Sequence, residues 1–261
     1  MLQQLWALTR LVLRGLFLIG FLSSTGWGAV RIWIDPGHGG VDTGTTRGKL
    51  QESHLVLQVA QKLVVILQKD PAFVVLSSRN SDKAVSLPER VLSAAAAKAD
   101  LFVSVHVNSN QDQRARGTEI YFQNNLPPDE ESLFLAASEN DLSGTLRNEE
   151  SEQPAGNDTA AIVADLRRQH RMLESHRLGV TLMRQWPSGQ IALRQAPFYV
   201  LNKPKIPAVL VELGFLTNAK EAEKLQSPEF QAELAQRIYL GLKEFILTPR
   251  ALVPSALLGQ N

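Results

Sequence analysis

Residues 101–107 have the sequence LFVSVHV, an apolar run interrupted only by Ser104 and His106. A short run of this kind, rich in valine, is typical of a strand that is buried on both faces. Because side chains alternate along a strand, His106 shares one face with Ser104 and Asn108 while the neighbouring valines take the other. The strand therefore carries an imidazole into a predicted core, where it needs a partner.

The segments on either side alternate between strand and helix patterns. Strands are predicted at Arg31–Ile34, Val74–Leu76, Thr118–Phe122 and Ala208–Glu212. Helices are predicted at Glu52–Lys69 and Leu87–Lys98, with a closing helix that is capped by Ser227 and has Pro228 as its first residue. Alternation of this sort predicts an α/β layered fold with a mixed sheet between helices.

Composition limits the chemistry that this chain can perform. It has 261 residues, 44% of them hydrophobic, and a net charge of +1, so it has no broad electrostatic attraction for nucleic acid or anionic lipid, and binding to either would need a local patch of positive charge. No nucleic-acid partner is expected. It contains no cysteine, which excludes disulfides, thiolate metal sites and a cysteine nucleophile. Histidines and carboxylates are then the only strong zinc ligands available.

The amino-terminal segment, residues 1–29, differs from the rest. Arg10 and Arg14 precede the apolar run Leu16–Leu22, and small and polar residues follow it, which is the layout of a secretory signal. An uncleaved amino-terminal anchor is the alternative, and it would be the protein's only link to a membrane. Either interpretation predicts export to the periplasm or cell envelope. A catalytic domain is expected at 30–248, followed by a tail at 249–261 with no assignable function.

An acidic insertion interrupts the domain at 124–158. It contains nine acidic residues and a single base, Arg147. Its centre, Leu133–Ala137, is apolar enough to form a short helix that docks on the domain, and a long loop inside a compact domain is often functional. A solvated surface insertion is the alternative.

Four residues at strand and helix ends are the candidates for chemistry. His38 follows the first strand in a glycine-rich loop, Glu52 opens the next helix, and His106 lies in the buried strand. Two histidines and a carboxylate form a catalytic zinc set that leaves a fourth position for water. Glu212 adds a second carboxylate at the end of an apolar strand, where a charge must be paired or functional. Taken singly, each residue also has an ordinary interpretation, as a hydrogen-bonded core histidine or a solvated carboxylate at a helix start.

The ordered motifs decide between these interpretations. From Arg31 to Ile246 the chain contains, in order, the motifs IDPGHGGVDTG, LQES, LSSRNSD, LPERVLSAA, ADLFVSVHVNS, GTEIYF and VLVELGFLTN. Together they closely resemble the zinc-dependent N-acetylmuramoyl-L-alanine amidases of the amidase_3 family. The resemblance implies a single catalytic domain with a twisted mixed sheet flanked by helices. It also implies a Zn²⁺ ion held by His38, Glu52 and His106, with Glu212 as the catalytic glutamate.

The reaction implied is hydrolysis of the amide between N-acetylmuramic acid and L-alanine in peptidoglycan, for wall remodelling or daughter-cell separation. The chain also resembles the periplasmic amidases of cell separation, in which a helix covers the zinc site until an activator protein displaces it. A carboxylate of the insertion is therefore expected to take the open zinc position. The chain departs from the family pattern after Glu52, where Ser53 and His54 replace a basic residue and a small acidic or amide residue. A zinc peptidase acting within the stem peptide and an inactive peptidoglycan-binding module remain as alternatives.

Overall fold

The computed structural model describes residues 28–141 and 158–248. The predicted signal or anchor lies outside this part of the chain except for its last two residues, and the tail at 249–261 lies wholly outside it. Within the described residues, no helix combines the length and the apolar character needed to cross a bilayer.

Eight strands and seven helices make up the described part of the chain. The strands are β1 Val30–Pro36, β2 Thr46–Arg47, β3 Leu50–Gln51, β4 Phe73–Ser77, β5 Leu101–Asn108, β6 Thr118–Phe122, β7 Ile191–Gln195 and β8 Ala208–Phe215. The helices are α1 Glu52–Leu67, α2 Leu87–Ala96, α3 Glu130–Asp141, α4 Asp158–Met183, α5 Tyr199–Asn202, α6 Ala219–Leu225 and α7 Pro228–Leu247.

Six strands form one mixed sheet in the order β4-β1-β5-β8-β6-β7. Strands β4, β1, β5 and β8 are parallel neighbours, and β6 pairs antiparallel with β8. The four parallel strands end at the same edge, which we call the carboxyl edge of the sheet. This architecture confirms the predicted α/β fold with a mixed sheet flanked by helices.

Apolar side chains cover both faces of the sheet. On one face, α1, α4 and α7 pack on the inward-facing residues of β1, β5 and β8 through side chains such as Val59, Leu178 and Ile238, which are fully buried. On the other face, α2, α3 and α5 pack around Phe102 and Tyr121. Burial on both faces explains why β5 has a nearly continuous apolar sequence.

Strand β7 and the bounds of helix α4 were not predicted from the sequence. The 26-residue helix α4 is exposed along its first half and buries residues such as Leu182 only in its second half, so its apolar pattern is short. Strand β7 lies at the edge of the sheet with every residue half-buried, which leaves no alternating pattern. Strand β8 runs to Phe215, three residues beyond the predicted end at Glu212, because a buried charge is accommodated within the strand.

Candidate metal centre

The four predicted residues converge at the carboxyl edge of the sheet. His38 lies two residues beyond β1, and His106 lies on β5 opposite Glu212 of β8 in the strand register. Glu52 is the first residue of α1 and lies beneath both imidazoles. All four side chains are at least nine-tenths buried.

Four donor atoms lie within a few ångströms of one another. Glu52 Oε1 is 3.1 Å from His38 Nε2 and 3.1 Å from His106 Nδ1. Glu139 Oε2, from the acidic insertion, is 3.4 Å from His38 Nε2 and 3.5 Å from His106 Nδ1. A tetrahedral zinc site with ligands at about 2.0 to 2.1 Å has ligand-to-ligand edges of about 3.3 to 3.4 Å. The separations therefore suit a small tetrahedral cation.

Among the described residues, His38, His106 and Glu139 form a group able to hold a metal ion. The sequence predicted Glu52 as the carboxylate ligand. The structure places that carboxylate against the same two imidazoles, although backbone amides also bind it: the N–H of Val107 donates to Oε1 at 2.9 Å and that of Thr45 to Oε2 at 2.9 Å. These donors fix the orientation of Glu52. Burial alone would raise the pKa of this carboxyl, but the charges and hydrogen bonds of His38 and His106 outweigh it and hold the pKa well below the usual range for glutamate.

His38 is oriented by Asp42. The Asp42 carboxylate oxygens lie 2.9 and 3.0 Å from His38 Nδ1, which in the neutral ring favours the tautomer with the proton on Nδ1 and the lone pair on Nε2. His38 Nε2 is buried and makes no hydrogen bond within the described part of the chain. A buried imidazole nitrogen with a free lone pair, beside carboxylates, fits a metal ligand. Sequence reasoning missed Asp42, although its position four residues after His38 in the glycine-rich loop is the available signal.

Two buried arginines hold the loop that carries His38, whose φ of +56° is unusual for a residue with a side chain. Arg79 donates to the carbonyls of Gly37 at 2.6 Å and Ser53 at 2.8 Å. Arg90 donates to the carbonyl of His38 at 2.8 Å and pairs with Asp35 at 2.7 Å. Both guanidinium groups are buried and engaged by backbone carbonyls of the loop, so these contacts favour a structural role for the two arginines.

Glycines in the loop are required by close packing. A Cβ atom at Gly37 would lie 2.3 Å from an atom of the His106 ring. At Gly44, which has a φ of +61°, a Cβ atom would lie 2.6 Å from Glu52 Oε2. Any side chain at either position would push a candidate ligand out of place.

Glu212 is 1% exposed, and its Oε2 has no hydrogen-bond partner among the described residues. Burial, followed by the negative charges of Glu52 and Glu139, raises its pKa well above the usual range for glutamate. Neighbouring Glu119 is held differently: the Tyr121 hydroxyl donates to it at 2.8 Å, and Arg194 pairs with it at 2.7 Å. Of the two neighbouring carboxyl groups, Glu212 and Glu119, Glu212 therefore retains a buried oxygen without a hydrogen-bond partner among the described residues.

Helix α3 places Glu139 at the metal centre. Ala136 is fully buried against the sheet, and the Asn140 side chain donates to the carbonyl of Pro197 at 3.1 Å and accepts from the N–H of Tyr199 at 2.8 Å. Residues 130–141 therefore form the predicted docking helix, and the solvated alternative does not hold for them.

The other histidines lie away from the centre. His54 is half-exposed and contacts Asp82 at 3.2 Å, so it is a surface group. His170 and His176 of α4 are exposed, and neither belongs to the metal-binding group found among the described residues.

Comparison with known proteins agrees with this fold and arrangement. The fold matches that of amidase catalytic domains: AmiC2 of Nostoc punctiforme superposes with a TM-score of 0.61 at 25% identity, covering 85% of this chain and all of that one. An amidase from Clostridium difficile 630 also gives a TM-score of 0.61 at 26% identity and covers 85% of this chain and 99% of that one.

Residues 32–244 match the family model Amidase_3, N-acetylmuramoyl-L-alanine amidase, and the chain belongs to that family. It is 32% identical over 224 residues to the probable amidase AmiB of Haemophilus influenzae, covering 83% of this chain and 52% of that protein. It is 33% identical over 214 residues to YqiI of Bacillus subtilis, covering 82% of this chain and 84% of that protein. The chain thus spans about half the length of the first relative. The resemblance to the amidase_3 family inferred from the motifs is confirmed.

Proposed function

We propose that this protein is a zinc-dependent N-acetylmuramoyl-L-alanine amidase that cleaves peptidoglycan between N-acetylmuramic acid and L-alanine. The observation that carries the proposal is the convergence of two buried imidazoles and two carboxylates at separations suited to tetrahedral zinc, in a chain of this family. Peptidoglycan is the expected substrate, and export to the periplasm or envelope follows from the predicted signal segment.

His38, Glu52 and His106 are proposed to hold the zinc ion. When bound, zinc supplies a Lewis acid that polarises the scissile carbonyl and activates water. Asp42 keeps the His38 proton on Nδ1, so that Nε2 faces the metal position as a neutral ligand. The Glu52 carboxylate is fixed by two backbone N–H groups and cannot swing away.

Glu212 is proposed as the general base and acid. Its unpaired Oε2 is available to take a proton from water and to return it to the leaving amine of L-alanine. Burial keeps bulk water from this carboxyl, so the proton it holds is passed to the substrate rather than lost to solvent.

Glu139 is proposed as the insertion carboxylate that closes the site at rest. It takes the fourth corner around the metal position, which the resemblance to cell-separation amidases predicted for an unspecified acidic residue. Displacement of α3 would open that corner to water and substrate. An activator protein that displaces α3 is the expected partner, and daughter-cell separation is the expected role.

Chelation tests the zinc requirement. The purified Glu139→Ala variant, in which the proposed closure is removed, is expected to release soluble peptides from peptidoglycan, to stop after a chelator is added, and to recover when zinc is restored. Activity that survives complete removal of metal would refute the proposal. A zinc peptidase would show the same chelator response, and only the identity of the products separates it from an amidase.

A further inference from the structure

A second cavity lies at the end of the sheet opposite the metal centre. It has a volume of about 850 Å³ and lies where β1 and β5 begin, with Val30 and Leu101 in its wall. The same wall contains Pro207, from the loop that precedes β8, and Phe245 and Ile246 of α7. We call this cavity the basal cleft.

Four arginine and lysine side chains border the basal cleft, namely Arg177 and three others. Arg167 and Arg171 lie one turn apart on α4 and face it together, and Lys205 approaches from the loop before β8. Within the described part of the chain, the charged groups of these three residues make no hydrogen bond or ion pair. Arg171 is half-buried, and burial together with the nearby charge of Arg168 lowers its pKa. A partly desolvated guanidinium without a partner indicates a place for an anion.

The acidic residues of the cleft are already engaged. Asp100 Oδ2 accepts the backbone N–H of Arg31 at 2.8 Å, and Glu174 pairs with Arg177 at 2.8 Å. Arg177 in turn stacks on the ring of Phe245, 3.6 Å from its centroid. Among the described residues, the cleft therefore combines apolar walls with four arginine and lysine side chains and two acidic ones, an excess of positive charge that suits an amphiphilic anion rather than a free metal or a sugar.

The path of the chain indicates which amphiphilic anion the basal cleft binds. The segment predicted as a signal or anchor joins the domain at Val30, which itself lines the basal cleft. From there β1 runs across the sheet for seven residues, about 23 Å at 3.3 Å per residue, toward the loop that bears His38. A membrane at the entry of the chain would thus meet the cleft, with the metal centre on the far side.

We propose that the basal cleft binds the headgroup of an anionic phospholipid and seats the domain on the membrane with its carboxyl edge turned toward the cell wall. The phosphate would lie among Arg167, Arg171 and Lys205, and the apolar walls would receive the first part of the acyl chains. The proposal concerns a surface remote from the metal centre, and it does not depend on the identity of the bond that the enzyme cleaves.

Vesicle flotation with the full chain tests this proposal. The probes are vesicles of phosphatidylcholine alone and vesicles with added phosphatidylglycerol, at constant ionic strength. Because each basic residue near an anionic surface strengthens binding about fivefold, the double variant Arg171→Gln/Lys205→Gln should lose on the order of 25-fold of the preference for phosphatidylglycerol. Wild type and variant carry the same amino-terminal segment, so its contribution to vesicle binding cancels when their preferences for phosphatidylglycerol are compared.

Two further double variants make the result specific. The pair Arg116→Gln/Lys220→Gln removes the same charge from the opposite edge and should leave the preference unchanged. The swap Arg171→Lys/Lys205→Arg keeps the charge and should also retain it, and a thermal melt of each variant confirms folding.

The proposal is overturned if the cleft variant prefers phosphatidylglycerol as strongly as the wild type, or if the opposite-edge pair loses as much. It is also overturned if inorganic phosphate, matched to the lipid phosphate, displaces the protein from the vesicles, since the site would then bind free anions. Loss of binding to peptidoglycan sacculi without loss of vesicle binding would assign the cleft to the wall and would equally refute it.

Discussion

Replacing Asp42 by asparagine should weaken metal binding without touching a ligand. The carboxylate contacts His38 Nδ1 through both oxygens, at 2.9 and 3.0 Å, and so fixes the tautomer and increases the basicity of Nε2. Loss of such a partner typically costs 10- to 100-fold in metal affinity, about 1.4 to 2.7 kcal/mol. Because the Asp42 side chain is 34% exposed, solvent already screens part of its charge, and we expect a value near tenfold.

Competition for zinc against a chromophoric chelator measures this change. Asp82→Asn is the matched control. Asp82 is an exposed aspartate near the same loop, where its carboxylate accepts the N–H of Gly40 and contacts the ring of His54. It does not contact His38. This control should leave zinc affinity unchanged. Equal zinc affinity in wild type and Asp42→Asn would refute the assigned role of His38 Nε2. If Asp42→Asn and Asp82→Asn lost the same zinc affinity, the loss would come from a less stable loop and not from the Asp42–His38 contact.

Three more predictions follow from contacts at the same edge. Glu139→Ala should raise the basal rate of peptidoglycan hydrolysis, whereas Glu130→Ala on the exposed start of the same helix should not, and equal rates for all three proteins would contradict closure by Glu139. Gly37→Ala should abolish zinc binding, because its Cβ would lie 2.3 Å from an imidazole atom, and elemental analysis showing full metal content would contradict this. Arg90→Leu should lower the free energy of unfolding by about 3 to 5 kcal/mol, because it leaves the buried Asp35 carboxylate unpaired, and a denaturant midpoint close to wild type would show that the pair is not structural.

Local sequence features predicted most of the fold and singled out the side chains of His38, Glu52 and His106, which the structure brings together at the candidate metal centre. His106 sits in an apolar run that only a buried strand explains, and His38 follows a strand in a loop of glycines. These signals are short-range, because strand burial and turn chemistry depend on adjacent residues. The ordered motifs then gave the family.

The identity of the carboxylate that we propose to block the site depends on tertiary contacts. Glu139 reaches the two imidazoles because α3 docks through Ala136 and Asn140, and the partners of Asn140 are the backbone groups of Pro197 and Tyr199, almost sixty residues away. A run of acidic residues carries no signal that distinguishes one member from the rest. The basal cleft is likewise assembled from distant segments, so the arginines of α4 look like those of any solvated helix in the sequence.

Product analysis of the unblocked enzyme tests most directly whether this protein is an amidase that uses Glu212 as its general base. Zinc-loaded Glu139→Ala and the double variant Glu139→Ala/Glu212→Gln are incubated with peptidoglycan, and the soluble products are identified by mass spectrometry. The first should release intact stem peptides with a free L-alanine amine. The second should bind zinc and fold normally, yet be about 10²- to 10⁴-fold slower, because its general base is lost. Cleavage within the stem peptide, or an undiminished rate in the double variant, would contradict the account.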